Sequence, residues 1–111
     1  MDLRYLTDDL AVIGQITSDD IPAIVEEGFK AVVCNRPDSE AGAVSHETVQ
    51  SAALKAGLEF RYIPVTSGAI TGDNVTDMGE ALKLLPKPVL AYCRSGARCT
   101  NLYALTKQAG Y

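Results

Sequence analysis

Apolar and polar positions along the chain fall into short blocks whose spacing switches between two residues and three to four. Leu3-Arg4-Tyr5-Leu6 and Leu10–Gln15 read as two short strands around the turn Thr7-Asp8-Asp9. Thr17-Ser18-Asp19-Asp20 supplies helix caps and first-turn acids, and Pro22 is tolerated in a first turn, so a helix is predicted to about Glu27 with Gly28 as its stop. Phe29–Cys34 is a near-continuous apolar strand, of the kind buried on both faces of a parallel sheet. Asn35–Gly42 is rich in turn residues. Ser45–Ala56 reads as a helix, with Val49, Ala52, Ala53 and Ala56 on one side and Gly57 as the stop. Glu59–Val65 alternates like a strand and Thr66–Gly72 is a loop. Val75, Met78, Leu82 and Leu85 form one helical stripe, which Pro86-Lys87-Pro88 ends. Val89–Tyr92 is a strand, and a last helix from about Ala97 is predicted to bury Leu102, Leu105 and Ala109.

Strands alternating with helices predict an α/β fold with a mostly parallel central sheet flanked by helices. Ligands of such sheets bind outside the carboxyl ends of the strands. Cys93, the loop from Asn35 to Glu40, and Thr66–Gly72 all follow strand carboxyl ends. Three loops are therefore expected to converge on one site.

Composition narrows the classes. A chain of 111 residues, read as a single domain over 1–111, buries a core without staples. A net charge of −4 argues against a general nucleic-acid binder, which needs a surplus of Lys and Arg to displace counterions. No apolar run approaches the roughly 18 residues of a membrane helix. Met1-Asp2-Leu3-Arg4 lacks the basic head and apolar stretch of a secretory signal, so a cytoplasmic address is expected. The cysteines, Cys34, Cys93 and Cys99, are odd in number and argue against a disulfide framework. With a lone His46 they form no zinc pattern, and neither metal nor cofactor is expected. Cys34 reads as a small buried hydrophobe.

Cys93 reads differently. It ends an apolar strand and opens the loop Cys93-Arg94-Ser95-Gly96-Ala97-Arg98, which runs into a helix. The N–H groups of such a loop point inward as an anion nest, and the helix N-terminus adds a positive dipole end. Arg98 adds a fixed charge and a bidentate fork. Comparable surroundings lower a thiol pKa from about 8.5 to roughly 3.5–7.5, which makes the nucleophilic thiolate. Gly96 allows a sharp turn without a Cβ, and Ser95 offers a hydroxyl to an anion or to the sulfur. Cys93 and Arg98 are thus the candidate catalytic pair. Arg94, Ser95, Gly96, Ala97 and Cys99 are the candidate anion-binding positions, and Arg36 and Ser67 the rim.

Those residues carry a resemblance. Cys93–Arg98 resembles the active-site loop of rhodanese-type sulfurtransferases. Gly28–Asp38, Tyr62–Thr66, Ala69-Ile70-Thr71 and the Cys93 loop running into Asn101–Leu105 are similar, in the expected order, to the bacterial beta-lactamase hydrolase-like, phosphatase-like domain family. That family is also catalogued among sulfur transferases, and the resemblance implies the fold of cysteine-dependent dual-specificity phosphatases. Two departures stand out. A tyrosine-phosphatase loop has five residues between cysteine and arginine; four lie between Cys93 and Arg98, and Cys99 takes the phosphatase arginine position. Where such phosphatases carry an aspartate general acid, the nearest match is Ser67, while Asp73 begins a helix where an acid suits the dipole.

The expectation from these residues is a sulfurtransferase: Cys93 takes sulfane sulfur from a small anionic donor, holds it as a persulfide and passes it on. Sulfite and thiolates leave without a general acid. The alternatives are a phosphatase acting through Cys93 phosphocysteine, or a non-catalytic anion-binding or regulatory module. The family's domain also occurs fused to metallo-β-lactamase-like domains, which implies a sulfur-metabolism metallohydrolase as a partner. Arg94 either guides anions or points to solvent. Arg36 either extends the positive rim or ties down Asp38 or Glu40. Cys99 is either a resolving thiol or a buried helix residue. His46 is expected to be exposed without a base role, and Tyr92 to face the core opposite Cys93.

Overall fold

The computed structural model describes the chain from Met1 to Tyr111. Five strands, β1 (Arg4–Thr7), β2 (Leu10–Ile13), β3 (Ala31–Cys34), β4 (Glu59–Tyr62) and β5 (Val89–Tyr92), form one sheet in the order β1-β2-β5-β3-β4. β2, β5, β3 and β4 run parallel, and β1 pairs antiparallel with β2 at one edge. The helices are α1 (Ile21–Glu26), α2 (His46–Lys55), α3 (Gly72–Leu84) and α4 (Ala97–Gln108). The expected α/β architecture is the one observed, and no helix is long and apolar enough to cross a membrane.

Strand alternation divides the core into two layers. Val12, Val33, Ala91 and Cys93 join Met78, Leu85 and Leu102 in one layer, with α3 and α4. Ala11, Val32, Cys34 and Tyr92 join Ile24, Phe29 and Val49 in the other, with α1 and α2. Every residue of β2, β3 and β5 is buried, which is why these strands read as unbroken apolar runs. Tyr92 and Cys93 point to opposite layers, as expected.

Several boundaries shift for identifiable reasons. β2 stops at Ile13 because Gln15 N donates to the Arg94 carbonyl, 3.3 Å away, outside the ladder. β4 stops at Tyr62, since Pro64 has no N–H to continue pairing. The first predicted helix divides into a 3-10 turn at Ser18–Asp20, closed by a Thr17–Asp20 capping box, and α1. In α4 the buried positions are Cys99, Leu102 and Thr106. Leu105 is instead 37% exposed, and Ala109 is exposed. Thr106 tolerates burial because its hydroxyl donates to the Leu102 carbonyl at 2.7 Å.

Candidate active site

Cys93 follows β5 directly, and its N–H donates to the Ile13 carbonyl at 3.3 Å. The chain then turns through Gly96, at φ +89°, into α4. That left-handed residue is the N-cap of α4, a conformation that favours glycine. The turn brings the Gly96 N–H to 3.1 Å from Cys93 Sγ. The sulfur lies at the start of α4, where unpaired N–H groups and the dipole favour an anion.

These donors move the thiol pKa from its ordinary value near 9 down to about 5. The largest cause is the Cys99 thiol, which donates to Cys93. Burial opposes the shift, and the backbone N–H groups of Cys99, Ser95 and Gly96 reinforce it. Cys93 is therefore a thiolate at neutral pH. Cys99 is moved the opposite way, well above its ordinary value, because it holds the shared proton in a buried position beside that charge.

A cavity of about 560 Å³ opens over the sulfur, lined by Arg36, Glu40 and Ala41 after β3, by Ser67 after β4, and by Cys93, Arg94, Ser95, Ala97 and Arg98 after β5. The three strand-end loops converge as the topology requires.

Individual residues depart from expectation. The Arg98 fork grips a carboxylate of the chain itself: Nη1 and Nη2 donate to Glu40 at 2.7 and 3.2 Å, and Nη1 also donates to the Val65 carbonyl at 2.9 Å. Arg36 takes the structural alternative. It is buried, and donates to Glu40 at 3.1 Å, Gln15 at 3.0 Å and the Ala41 carbonyl at 2.7 Å. Gly96 and Cys99 do not line the cavity; both lie behind Cys93 and act on its sulfur. Ser95 Oγ accepts from the Ala97 N–H at 3.4 Å. Arg94 is exposed at the cavity rim.

His46 is not the free surface group expected. Its ring stacks on Tyr62 with centroids 3.6 Å apart, and Nδ1 is 2.6 Å from Asp38 Oδ2. Asp38 also accepts from the His46 N–H at 2.9 Å, tying the loop that carries Glu40 to the start of α2. No three His, Cys, Asp or Glu side chains converge as a metal site.

Three contributors escape the sequence pattern. Glu40 becomes the cavity's carboxylate, held below the ordinary carboxylate range chiefly by the Arg98 fork, against burial and with help from Arg36. It is an anion there, not a proton donor. Arg4, on the edge strand, donates to the Ser95 carbonyl at 3.2 Å, a pairing across 91 positions with no local signal. Gly14 lets the chain after β2 pass beneath the Cys93 loop, since a Cβ there would meet the Arg94 carbonyl oxygen at 2.9 Å. A glycine closing an apolar strand was the available clue to that close approach.

A buried thiolate at the mouth of a loop-to-helix turn, on the carboxyl edge of this sheet, defines a phosphatase-like α/β domain. Residues 2–110 match the family described as beta-lactamase hydrolase-like protein, phosphatase-like domain, and the chain belongs to that family. A beta-lactamase hydrolase-like protein of Agrobacterium fabrum is 32% identical over 101 residues, covering 90% of this chain and 23% of the relative. One from Xylella fastidiosa is 30% identical over 108 residues, covering 96% of this chain and 25% of the relative. The chain thus spans about a quarter of the length of these curated relatives. Among solved structures, a candidate phosphatase from Neisseria meningitidis superposes with a TM-score of 0.88 at 32% identity, covering 100% of this chain and 80% of that one. The core catalytic domain of a PP-IP phosphatase from S. cerevisiae, solved with citrate, shares the fold with a TM-score of 0.71 at 14% identity, covering 96% of this chain and 65% of that one.

Proposed function

We propose that the chain is a cysteine-dependent phosphatase that cleaves phosphate monoesters through a Cys93 phosphocysteine. The observation carrying this reading is the Cys93 thiolate, held by Gly96 N–H at the floor of an open cavity in a phosphatase-like fold. Cys93 Sγ attacks phosphorus in line and the ester oxygen leaves; water then releases phosphate and restores the thiolate. The N–H groups at the start of α4 carry the charge of the transferring group. Arg98 contributes its fork when the phosphoryl oxygens take the place of the Glu40 carboxylate.

Glu40 is held ionised and Ser67 cannot supply a proton, so the leaving oxygen departs without a strong general acid. Substrates with low-pKa leaving groups, such as aryl phosphates, are therefore favoured over alkyl phosphates. This reading replaces the sulfurtransferase expected from the loop, since the family and the Neisseria relative are phosphatase-like.

Sulfur transfer through a Cys93 persulfide remains a second reading on one observation: the cavity lacks a proton donor, and that reaction needs none. Turnover of para-nitrophenyl phosphate, run beside intact mass after thiosulfate, separates the two. Phosphate release lost in Cys93→Ser is the expected result. A gain of about one sulfur mass that cyanide removes, with no phosphate release, would reverse the order.

A further inference from the structure

Asp38, His46 and Tyr62 make a clasp outside the cavity that phosphoryl transfer does not use. Residues 35–45 join β3 to α2 with no helix or strand of their own, so their shape depends on side-chain ties. Asp38 supplies ties to two neighbouring elements. Its Oδ1 accepts from the His46 N–H at 2.9 Å, one of the orphan donors at the start of α2, and its Oδ2 lies 2.6 Å from His46 Nδ1. Its own N–H donates to the Tyr62 hydroxyl at 3.0 Å. The His46 ring lies within 5° of parallel to the Tyr62 ring, so the end of β4 backs the imidazole that meets Asp38. The stack leaves the His46 side chain only 17% exposed.

Glu40 follows Asp38 in the same turn. The Glu40 N–H donates to the Pro37 carbonyl at 3.2 Å, and the Ala43 N–H donates to the Glu40 carbonyl at 3.1 Å. Where the clasp sets Asp38, it therefore sets the Glu40 backbone. Arg36 holds this loop from inside, on Glu40, Ala41 and Gln15; the clasp holds it from outside. We propose that Asp38 and His46, with Tyr62 behind them, are positioning residues that keep the Glu40 carboxylate in the Arg98 fork, and so set how strongly the cavity attracts a multiply charged anion. With the clasp closed, a carboxylate fills the fork and cancels part of the cavity's positive charge. With it open, Glu40 leaves with its loop and the fork faces the incoming anion alone. The proposal rests on Cys93 and Arg98 forming the anion site, but not on the bond that Cys93 breaks.

Alkylation of Cys93 reads the charge in the cavity without turnover. Iodoacetate carries a negative charge and iodoacetamide none, so the ratio of their rates follows the freedom of Arg98 and cancels changes in the sulfur itself. The tryptic peptide ending at Arg94 carries Cys93 as its only cysteine. Glu40→Gln is expected to raise the ratio several-fold. Asp38→Ala and His46→Ala are expected to raise it several-fold as well, and to add nothing on the Glu40→Gln background, because the clasp acts through that carboxylate. Tyr62→Phe keeps the ring stack and loses one hydrogen bond; a smaller rise is expected, and this variant carries the test if Asp38→Ala or His46→Ala fails to fold. A ratio that stays at the wild-type value in the clasp variants while their urea midpoints fall would show a clasp that only stabilises the fold, and would overturn the proposal. A rise of equal size on the Glu40→Gln background would overturn it too. The ratio does not depend on release of phosphate, so failure of the phosphatase reading and failure of the clasp are separate results.

Discussion

Cys34 and Cys93 stand at the carboxyl ends of neighbouring parallel strands, and each is 1% exposed. Yet Cys34 is pushed up from its ordinary pKa and Cys93 is pulled down to about 5. Burial acts the same way on both. The difference lies in how much hydrogen bonding opposes that burial. At Cys34 burial dominates: hydrogen bonds from the Tyr92 hydroxyl and the Arg36 backbone lower the pKa but do not outweigh it, and Sγ also donates to the Arg36 carbonyl at 3.4 Å. At Cys93 the Cys99 thiol, first, and the N–H groups of Cys99, Ser95 and Gly96, the last 3.1 Å from Sγ, together outweigh burial. A chain leaving its strand into the N-terminus of a helix gathers several N–H groups on one sulfur. The thiolate at Cys93 follows from the donors gathered on one sulfur, the Cys99 thiol first and the backbone N–H groups after it.

The contrast can be broken most directly by substitution at the sulfurs. Cys93→Ser is expected to lower kcat for para-nitrophenyl phosphate by about a thousandfold or more, because an alcohol in the same cradle stays protonated. Cys34→Ser is expected to leave turnover within about twofold, and to cost about 1 kcal/mol in a urea melt. Equal losses in the two variants would show that the helix start is not what distinguishes them.

Gly14→Ala attacks the cradle without touching a sulfur. Its Cβ would press on the Arg94 carbonyl, a backbone atom that cannot swing aside, so the Cys93 loop must move. A destabilisation of about 1–3 kcal/mol is expected with a larger fractional loss of kcat than of thermal stability. Glu40→Gln removes the carboxylate shared by Arg36 and Arg98 and leaves both cations facing the cavity. Competitive inhibition by orthovanadate is expected to tighten several-fold. Weaker inhibition would mean that Glu40 serves chiefly to aim Arg98.

The smallest effect is the pH dependence. Alkylation of Cys93 by iodoacetamide is expected to rise with pH through an inflection near 5, while Cys34 shows none below its ordinary value near 9. The folded pKa of Cys93 lies below its unfolded value. Its contribution to stability is complete above about 9, shrinks as pH falls, and is gone below about 5. That slope is expected to vanish from the Cys93→Ser melt.

Much of the scaffold was legible along the chain. The unbroken apolar runs of β3 and β5 required a sheet covered on both faces, and the intervening helical stripes required parallel crossovers. Those two facts alone bring the loops after β3, β4 and β5 to one edge. The end of α4 misled because its pattern offered Leu105, whereas the face turned to α3 ends on Thr106, whose hydroxyl is satisfied within its own helix.

By itself, then, the sequence determined the α/β layering, the position of Cys93 at the carboxyl edge of the sheet, and the turn at Gly96 that starts α4. These are local consequences of apolar spacing, strand ends and glycine geometry. Tertiary structure alone decided which charges meet there: Glu40 between Arg36 and Arg98, Arg4 on the Ser95 carbonyl, and Gly14 under Arg94. Those partners lie up to 91 positions apart, and ion pairs and close backbone approaches carry no period that a one-dimensional pattern can register.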